Sequence, residues 1–253
     1  MKPRVVVLSL SSDFGCQVQI SNYPQLLDMI STFQIGYWQL VLSGDMPAEY
    51  EVALIEGAVT TTEQIALLEK VRATASCVIA IGACAVTGGV PGLARRGVMI
   101  DHFKAIYGAD KPPASEKCVA PAPVSAYIPV DFLIPGCPIE PEELSRVLQR
   151  ALRALVDNPQ RQSMCGECKM AENTCFWTHD TACLGLIARS GCHATCVSRG
   201  RPCTACRGIA YDANLDAARQ FAASHGCEEK TFDGLIDLYN AAREIEDGSE
   251  VTS

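Results

Sequence analysis

Positive charge is in short supply in this 253-residue chain: 21 Lys and Arg stand against 29 Asp and Glu, for a net charge of -8. Binding dominated by nucleic-acid phosphates or by an acidic membrane surface therefore has no electrostatic support. Long apolar runs are also missing. Stretches such as VVVLSL from Val5 and CVIAIGACAV from Cys77 fall far short of the roughly 20 residues that span a bilayer, so no direct membrane insertion is expected. The opening MKPRVVVLSL has neither the apolar length nor the small-residue cleavage site of a signal peptide, and no twin arginine. It reads as a first strand and not as an address, which predicts a cytoplasmic protein. Internal repeats, low-complexity tracts and a Gly-rich phosphate fingerprint are absent, and the four histidines share no spacing. No nucleophile-base pair or complete metal-activated-water motif is present, so bond chemistry on a substrate is not expected from this chain.

What the chain has in excess is cysteine, 14 of 253 residues. That is fewer than in small secreted disulfide scaffolds and far more than in an ordinary cytosolic enzyme. In a reducing compartment such thiols serve as metal ligands or catalytic groups more often than as disulfides.

Over residues 1–158 short apolar runs alternate with helical periodicity, an α/β pattern. Val5 to Leu10, Trp38 to Leu42, Val52 to Ile55, Val78 to Ile81 and Phe132 to Ile134 are expected to be buried parallel strands. Thr60-Thr61-Thr62-Glu63 reads as a capping box before a helix with Ile65, Leu68 and Val71 inward. Pro141 suits a first helical turn, followed by Leu144, Val147, Leu148, Ala151, Leu152 and Leu155 at helical spacing. The polar stretch from Asp157 to Ser163 marks a boundary. A cysteine-rich unit, 164–210, follows. It has few long apolar runs and is expected to be organised by what its thiolates bind and not by a conventional core. The segment 211–253 reads as a helical extension, with one pattern through Leu215, Ala218, Phe221 and Ala222 and another through Phe232, Leu235, Ile236, Tyr239 and Ala242. The closing EDGSEVTS is expected to fray.

The cysteine-rich unit carries Cys165, Cys168, Cys175, Cys183, Cys192, Cys196, Cys203 and Cys206, with a C-x-x-C pair at each end. Eight thiols suit two four-cysteine sites, and both structural zinc and iron-sulfur clusters prefer such soft ligands. The close succession of all eight favours clusters over zinc ribbons, whose pairs stand roughly 15 to 20 residues apart, although the ferredoxin run C-x2-C-x2-C-x3-C is not matched. Lys169, Arg189, Arg199, Arg201 and Arg207 lie among these cysteines. They either offset thiolate charge or form a solvated face.

In the first unit Cys16, Cys84 and Cys137 each follow a strand, in LSLSSDFGC, IGAC and PGCP. The carboxyl edge of a parallel sheet is where ligands bind, so three thiols from distant positions are expected to converge there. Three thiolates leave a four-point site one ligand short. Asp13, three residues before Cys16, is the candidate fourth ligand, harder than sulfur and expected to alter the potential; the alternative is that it caps a turn. Gly15, Gly82 and Gly136 would let backbone approach a bulky group.

DFGCQVQ, VALIEG with Glu56-Gly57, IGACAVTGGV, PGCP and CLGLIARSGCHATC…PCTACRG together resemble the small subunit of cytosolic [NiFe] hydrogenases, of the sulfhydrogenase delta and deazaflavin-reducing hydrogenase gamma type. The likeness covers about residues 4 to 210. It implies a flavodoxin-like domain, a cysteine-rich iron-sulfur domain and three [4Fe-4S] clusters that relay electrons. It also implies a separate large subunit carrying the nickel-iron centre and a further electron-acceptor subunit, a flavin or iron-sulfur protein. The proximal cluster would take Cys16, Cys84 and Cys137, with Asp13 where the family usually has cysteine. The medial cluster would take Cys192, Cys196, Cys203 and Cys206, and the distal one Cys165, Cys168, Cys175 and Cys183. An interleaved division of the eight is also open. Glu56 would join a proton path or the large-subunit interface, or else make an ordinary strand-end hydrogen bond. Cys77, Cys118 and Cys227 are expected to be small buried hydrophobes; His193 is expected to face solvent, and Trp38 and Trp177 to pack. Two rivals are a single-cluster, quinone-reductase-like small subunit of an energy-converting complex and a zinc-organised protein-interaction module.

Overall fold

The computed structural model describes residues 2–95, 104–108, 117–155 and 162–242. The strands are β1 (Arg4–Ser9), β2 (Gln34–Trp38), β3 (Val52–Glu56), β4 (Val59–Thr61), β5 (Cys77–Ile81), β6 (Cys118–Ala122) and β7 (Phe132–Ile134). The helices are α1 (Gly15–Ser21), α2 (Leu26–Ile30), α3 (Thr62–Thr74), α4 (Gly82–Thr87), α5 (Pro141–Ala151), α6 (Met164–Met170), α7 (Thr195–Ser198), α8 (Leu215–Ser224) and α9 (Glu229–Asn240).

Five strands form one parallel sheet in the order β2-β1-β3-β5-β7. Parallel neighbours need crossovers, and here helices supply them on both faces. The two-residue period of a strand divides the side chains between those faces. Val5, Val7, Leu54, Ile79 and Ile81 meet Ile20 of α1 and Leu144 and Leu148 of α5. Val6, Leu8, Ala53, Ile55, Val78 and Ala80 meet Leu68 and Val71 of α3 and Ala85 and Val86 of α4. β4 and β6 pair antiparallel as a separate ribbon with no sequence signal of its own.

Several local expectations shift. The second strand lies at β2 and not at Trp38 to Leu42: Leu40, Val41 and Leu42 turn outward and are exposed, because only Trp38 finds a core to enter. The capping box is Thr61 with Gln64, one residue beyond Thr60 and Glu63. Gln64 also bonds Thr60 and Ser11, which moves the helix start. On α5 the buried stripe ends before Leu155, which is exposed beyond the last helical turn. Of the polar boundary at 157–163 only Gln162 and Ser163 fall within the described residues, and the closing residues from Glu246 fall outside them.

The cysteine-rich segment does build an apolar core, jointly with the helices that follow it. Met164, Trp177, Leu184, Ile187 and Val197 pack with Ala218 and Ala222 of α8 and Phe232 and Ile236 of α9. Apolar side chains too scattered to make a core alone suffice once two amphipathic helices lie over them. Phe221 points the other way from Ala222 and is partly exposed, resting edge-on against Trp177.

Candidate metal centres

The first thiol set is assembled by strand ends. Cys16 opens α1 just after β1, Cys84 lies in α4 directly after β5, and Cys137 follows β7. All three border one cavity of about 60 Å³ together with Asp13 and Glu56. Phe14 enters the left-handed region at φ 61° and so turns the chain sharply from β1 into α1. Gly82 is required: at φ 83° a side-chain Cβ would lie 2.6 Å from the Cys16 sulfur. The cradle beside that sulfur is one that a methyl group would fill.

Glu56 ends β3 and is almost fully buried. It accepts hydrogen bonds from the Cys16 backbone N–H at 2.9 Å and from Gln17 Nε2 at 2.9 Å. Gln17 in turn accepts from Trp38 Nε1 at 2.9 Å. Burial pushes the Glu56 carboxyl above the usual carboxylate range. Asp13 is exposed at the cavity rim, where its Oδ1 accepts from the Gly15 N–H at 2.9 Å. Burial, then the Glu56 charge, push the Cys16 thiol up, and burial takes Cys84 to about 11. Soft donors of this kind remain protonated until a metal supplies the compensating charge, so binding is coupled to proton release.

The other eight cysteines fall into two neighbourhoods. Cys192, Cys196, Cys203 and Cys206 line a second cavity of about 470 Å³, which Cys137 also borders. Burial, then the nearby Cys183, Cys168 and Cys175, push the Cys165 thiol up to about 11, which places those four within electrostatic reach of one another. The two neighbourhoods meet where the Cys203 backbone N–H donates to the Cys183 sulfur at 3.2 Å. Cys137 borders the second cavity beside Cys206, and its backbone counters part of the burial that pushes the Cys206 thiol up, which joins the first set to the second. Among the described residues, no three His, Cys, Asp or Glu side chains group tightly enough to hold a single metal ion. Thiols spread around cavities suit a polynuclear group, in which each iron takes one thiolate.

Of the leftover residues, Cys77 is buried, Cys227 is half-buried and Cys118 is exposed, against expectation, because it opens the two-stranded ribbon outside the sheet core. His193 is exposed, as are Lys169, Arg199 and Arg201. Arg189 stacks over the Tyr211 ring, 4.5 Å from its centre, and Arg207 is buried in a network of its own. Trp177 donates to the Cys183 carbonyl at 2.9 Å, which ties the apolar core to a thiol loop. Tyr239 was legible only as an inward position on its helix, yet its hydroxyl faces the Cys137 sulfur and offsets part of the burial that pushes that thiol up. Asn240, which no motif marks, donates to the Ala205 carbonyl between Cys203 and Cys206 at 3.2 Å.

A doubly wound sheet with thiols at its carboxyl edge, followed by a thiol-dense module, is the build of an iron-sulfur electron-transfer subunit. Residues 14–151 match the family model for the NADH ubiquinone oxidoreductase 20 kDa subunit. The sulfhydrogenase 2 subunit delta of Pyrococcus furiosus is 33% identical over 211 residues, which cover 83% of this chain and 87% of that protein. One component of the vhu F420-non-reducing hydrogenase of Methanococcus voltae is 28% identical, over 82% of each chain. The structure of the Ni-Fe-Se hydrogenase from Desulfomicrobium baculatum shares the fold, with a TM-score of 0.57 at 14% identity over 94% of this chain and 99% of that one. The chain therefore belongs to the NADH ubiquinone oxidoreductase 20 kDa subunit family and, within it, to the electron-transfer small subunits of cytosolic-type [NiFe] hydrogenases. The hydrogen-converting active site lies on the partner subunit. Among the described residues no helix is long and apolar enough to cross a membrane.

Proposed function

We propose that this subunit holds three [4Fe-4S] clusters in a row. Asp13, Cys16, Cys84 and Cys137 would hold the proximal one, Cys192, Cys196, Cys203 and Cys206 the medial one, and Cys165, Cys168, Cys175 and Cys183 the distal one. The observation that carries this is the adjacency of successive sets: Cys137 borders the cavity lined by Cys192, Cys196, Cys203 and Cys206, and the Cys203 N–H donates to the Cys183 sulfur. Clusters bound there supply one-electron oxidation and reduction at potentials that the protein sets.

The chain's own part is to hold and insulate. Glu56 fixes the Cys16 backbone beside the first cavity and, at the same edge, offers a step of a proton path toward the large subunit. Gly82 keeps the approach to Cys16 clear. Tyr239 steadies the Cys137 sulfur, and Trp177 anchors the loop of Cys183. The first unit, 1–158, faces a large subunit that carries the nickel-iron centre. The units 164–210 and 211–253 form the outward half. Cys175, Lys169 and Met170 are exposed beside the last thiol set, and that face serves a further acceptor subunit, a flavin or iron-sulfur protein, in a cytoplasmic complex.

Iron, sulfide and zinc content of the anaerobically purified complex tests this, counted per small subunit after subtracting the large subunit's own iron. About twelve irons with matching sulfide is the expected result for three four-iron clusters. About four irons would instead mark a single-cluster, quinone-reductase-like subunit, and two zincs without iron an interaction module.

A further inference from the structure

Arg207 directly follows Cys206 and is buried, with 3% of its surface exposed. A buried cation persists only when paired and hydrogen-bonded, and each arm of this guanidinium has a partner. Nε donates to the Ser190 carbonyl at 2.8 Å and Nη1 to the Pro135 carbonyl at 2.7 Å. Nη2 lies 2.9 and 2.8 Å from the two carboxylate oxygens of Glu143 on α5. These partners sit on three separate pieces of chain. Ser190 is two residues before Cys192, Pro135 is two residues before Cys137, and Glu143 belongs to the helix that covers the sheet. Gly191 makes room for the arrangement: at φ 108°, a Cβ there would lie 2.5 Å from Nη2. Glu167, between Cys165 and Cys168, accepts from the Gly191 N–H at 2.7 Å. The Ser190–Cys192 segment is thus held by Arg207, which is itself tied to the Cys137 turn, and by Glu167 of the Cys165–Cys168 turn.

We infer that Arg207 is a positioning residue of the electron path, a brace whose planar fork fixes the medial thiols relative to the Cys137 turn and so sets the gap between the proximal and medial sites. The inference rests on the three-cluster proposal. Geometry, and not charge alone, is the operative property. A lysine would keep the positive charge beside Cys192 but could not reach two carbonyls and a carboxylate at once.

The test uses the whole complex with its large subunit and compares wild type with Arg207→Lys and Glu143→Gln. Three readouts are taken: iron content, the magnetic interaction between reduced proximal and medial clusters by electron paramagnetic resonance, and hydrogen-driven reduction of a viologen. In the last, each H2 gives two protons and two electrons, and the electrons pass to two viologen dications. Hydrogen-deuterium exchange, which requires only the large subunit's centre, serves as the internal control. The expected result for Arg207→Lys is wild-type iron and exchange, an altered magnetic interaction, and viologen reduction lowered about 10-fold or more, as for loss of other groups that orient metal ligands. Glu143→Gln, which weakens one arm of the brace, should show the same changes to a smaller extent.

Wild-type interaction and rate in Arg207→Lys would overturn the inference and leave only a charge role. Loss of iron from both variants would also overturn it, in favour of a role in holding the fold. If the wild-type complex itself shows one cluster and no interaction, the three-cluster proposal has failed instead, a result visible without any variant.

Discussion

The backbone N–H of Cys203 points at the sulfur of Cys183 across 3.2 Å, although the two lie 20 residues apart. The Cys183 thiol therefore receives a hydrogen bond from the backbone of another cysteine, Cys203. Hydrogen bonds to ligand sulfur raise a cluster's potential, and a shared one links neighbours. Cys183→Ser is expected to remove one cluster, about four irons, and to shift the medial potential in the same preparation while leaving the proximal one in place. Iron analysis with a redox titration checks it. An unchanged iron count would show that Cys183 is not a ligand.

Asp13 has two possible employments, and one substitution separates them. Its Oδ1 caps the Gly15 N–H, and an asparagine would preserve that acceptor while being a far poorer iron ligand than a carboxylate. Asp13→Asn is expected to leave the unfolding temperature nearly unchanged and to move the proximal potential. Asp13→Cys, which restores a thiolate, should move it in another direction and leave the medial and distal potentials close to wild type. Identical proximal signals in all three proteins would reduce Asp13 to a turn cap.

The Tyr239 hydroxyl faces the Cys137 sulfur, while the Tyr239 carbonyl accepts from Thr87 Oγ1 at 2.6 Å, three residues along from Cys84. Removing only the hydroxyl, in Tyr239→Phe, keeps the ring and the backbone bond. A sulfur that loses a donor favours the oxidised cluster, so the proximal potential should fall, with iron content unchanged. Potentiometry followed by electron paramagnetic resonance reads it directly.

Phe232 is fully buried beneath the cysteine-rich segment, whereas Phe221 is 42% exposed on the neighbouring helix. Phe232→Ala should cost about 3 to 5 kcal/mol of stability and reduce iron in the thiol-dense module, because that module shares its core with α9. Phe221→Ala should cost much less. Thermal unfolding and iron content of the two variants side by side give the comparison, and equal losses would refute the shared core.

How much of this the residue order already carried can be judged from particular positions. Cys16, Cys84 and Cys137 were legible as site residues because each follows an apolar run, and in a parallel sheet every such run ends at the same edge. The alternation of Val5, Val6, Val7 and Leu8 likewise committed β1 to a sheet covered on both faces. The helix over Leu68 and Val71 was legible for the same reason, since local periodicity reports which face must be hidden from water.

Other features were decided only by the fold. Leu40, Val41 and Leu42 look like a strand, but the Val41 and Leu42 N–H groups turn back to the Trp38 carbonyl and the three side chains are exposed. The grouping of eight closely spaced thiols into two neighbourhoods depends on which loops are brought together, and spacing along the chain is nearly silent on that. Glu143, Tyr239 and Asn240 have no motif: each acts by reaching across from an element distant in sequence to Arg207, Cys137 or Ala205. Short-range chemistry is written in neighbouring residues, whereas the partner of a buried charge or an isolated donor is chosen by packing. The amino-acid order thus determined that this protein would gather sulfur along one sheet edge and in one module. The tertiary structure decided which sulfurs meet and what holds them at their distances, because those contacts arise only when remote segments exclude water together.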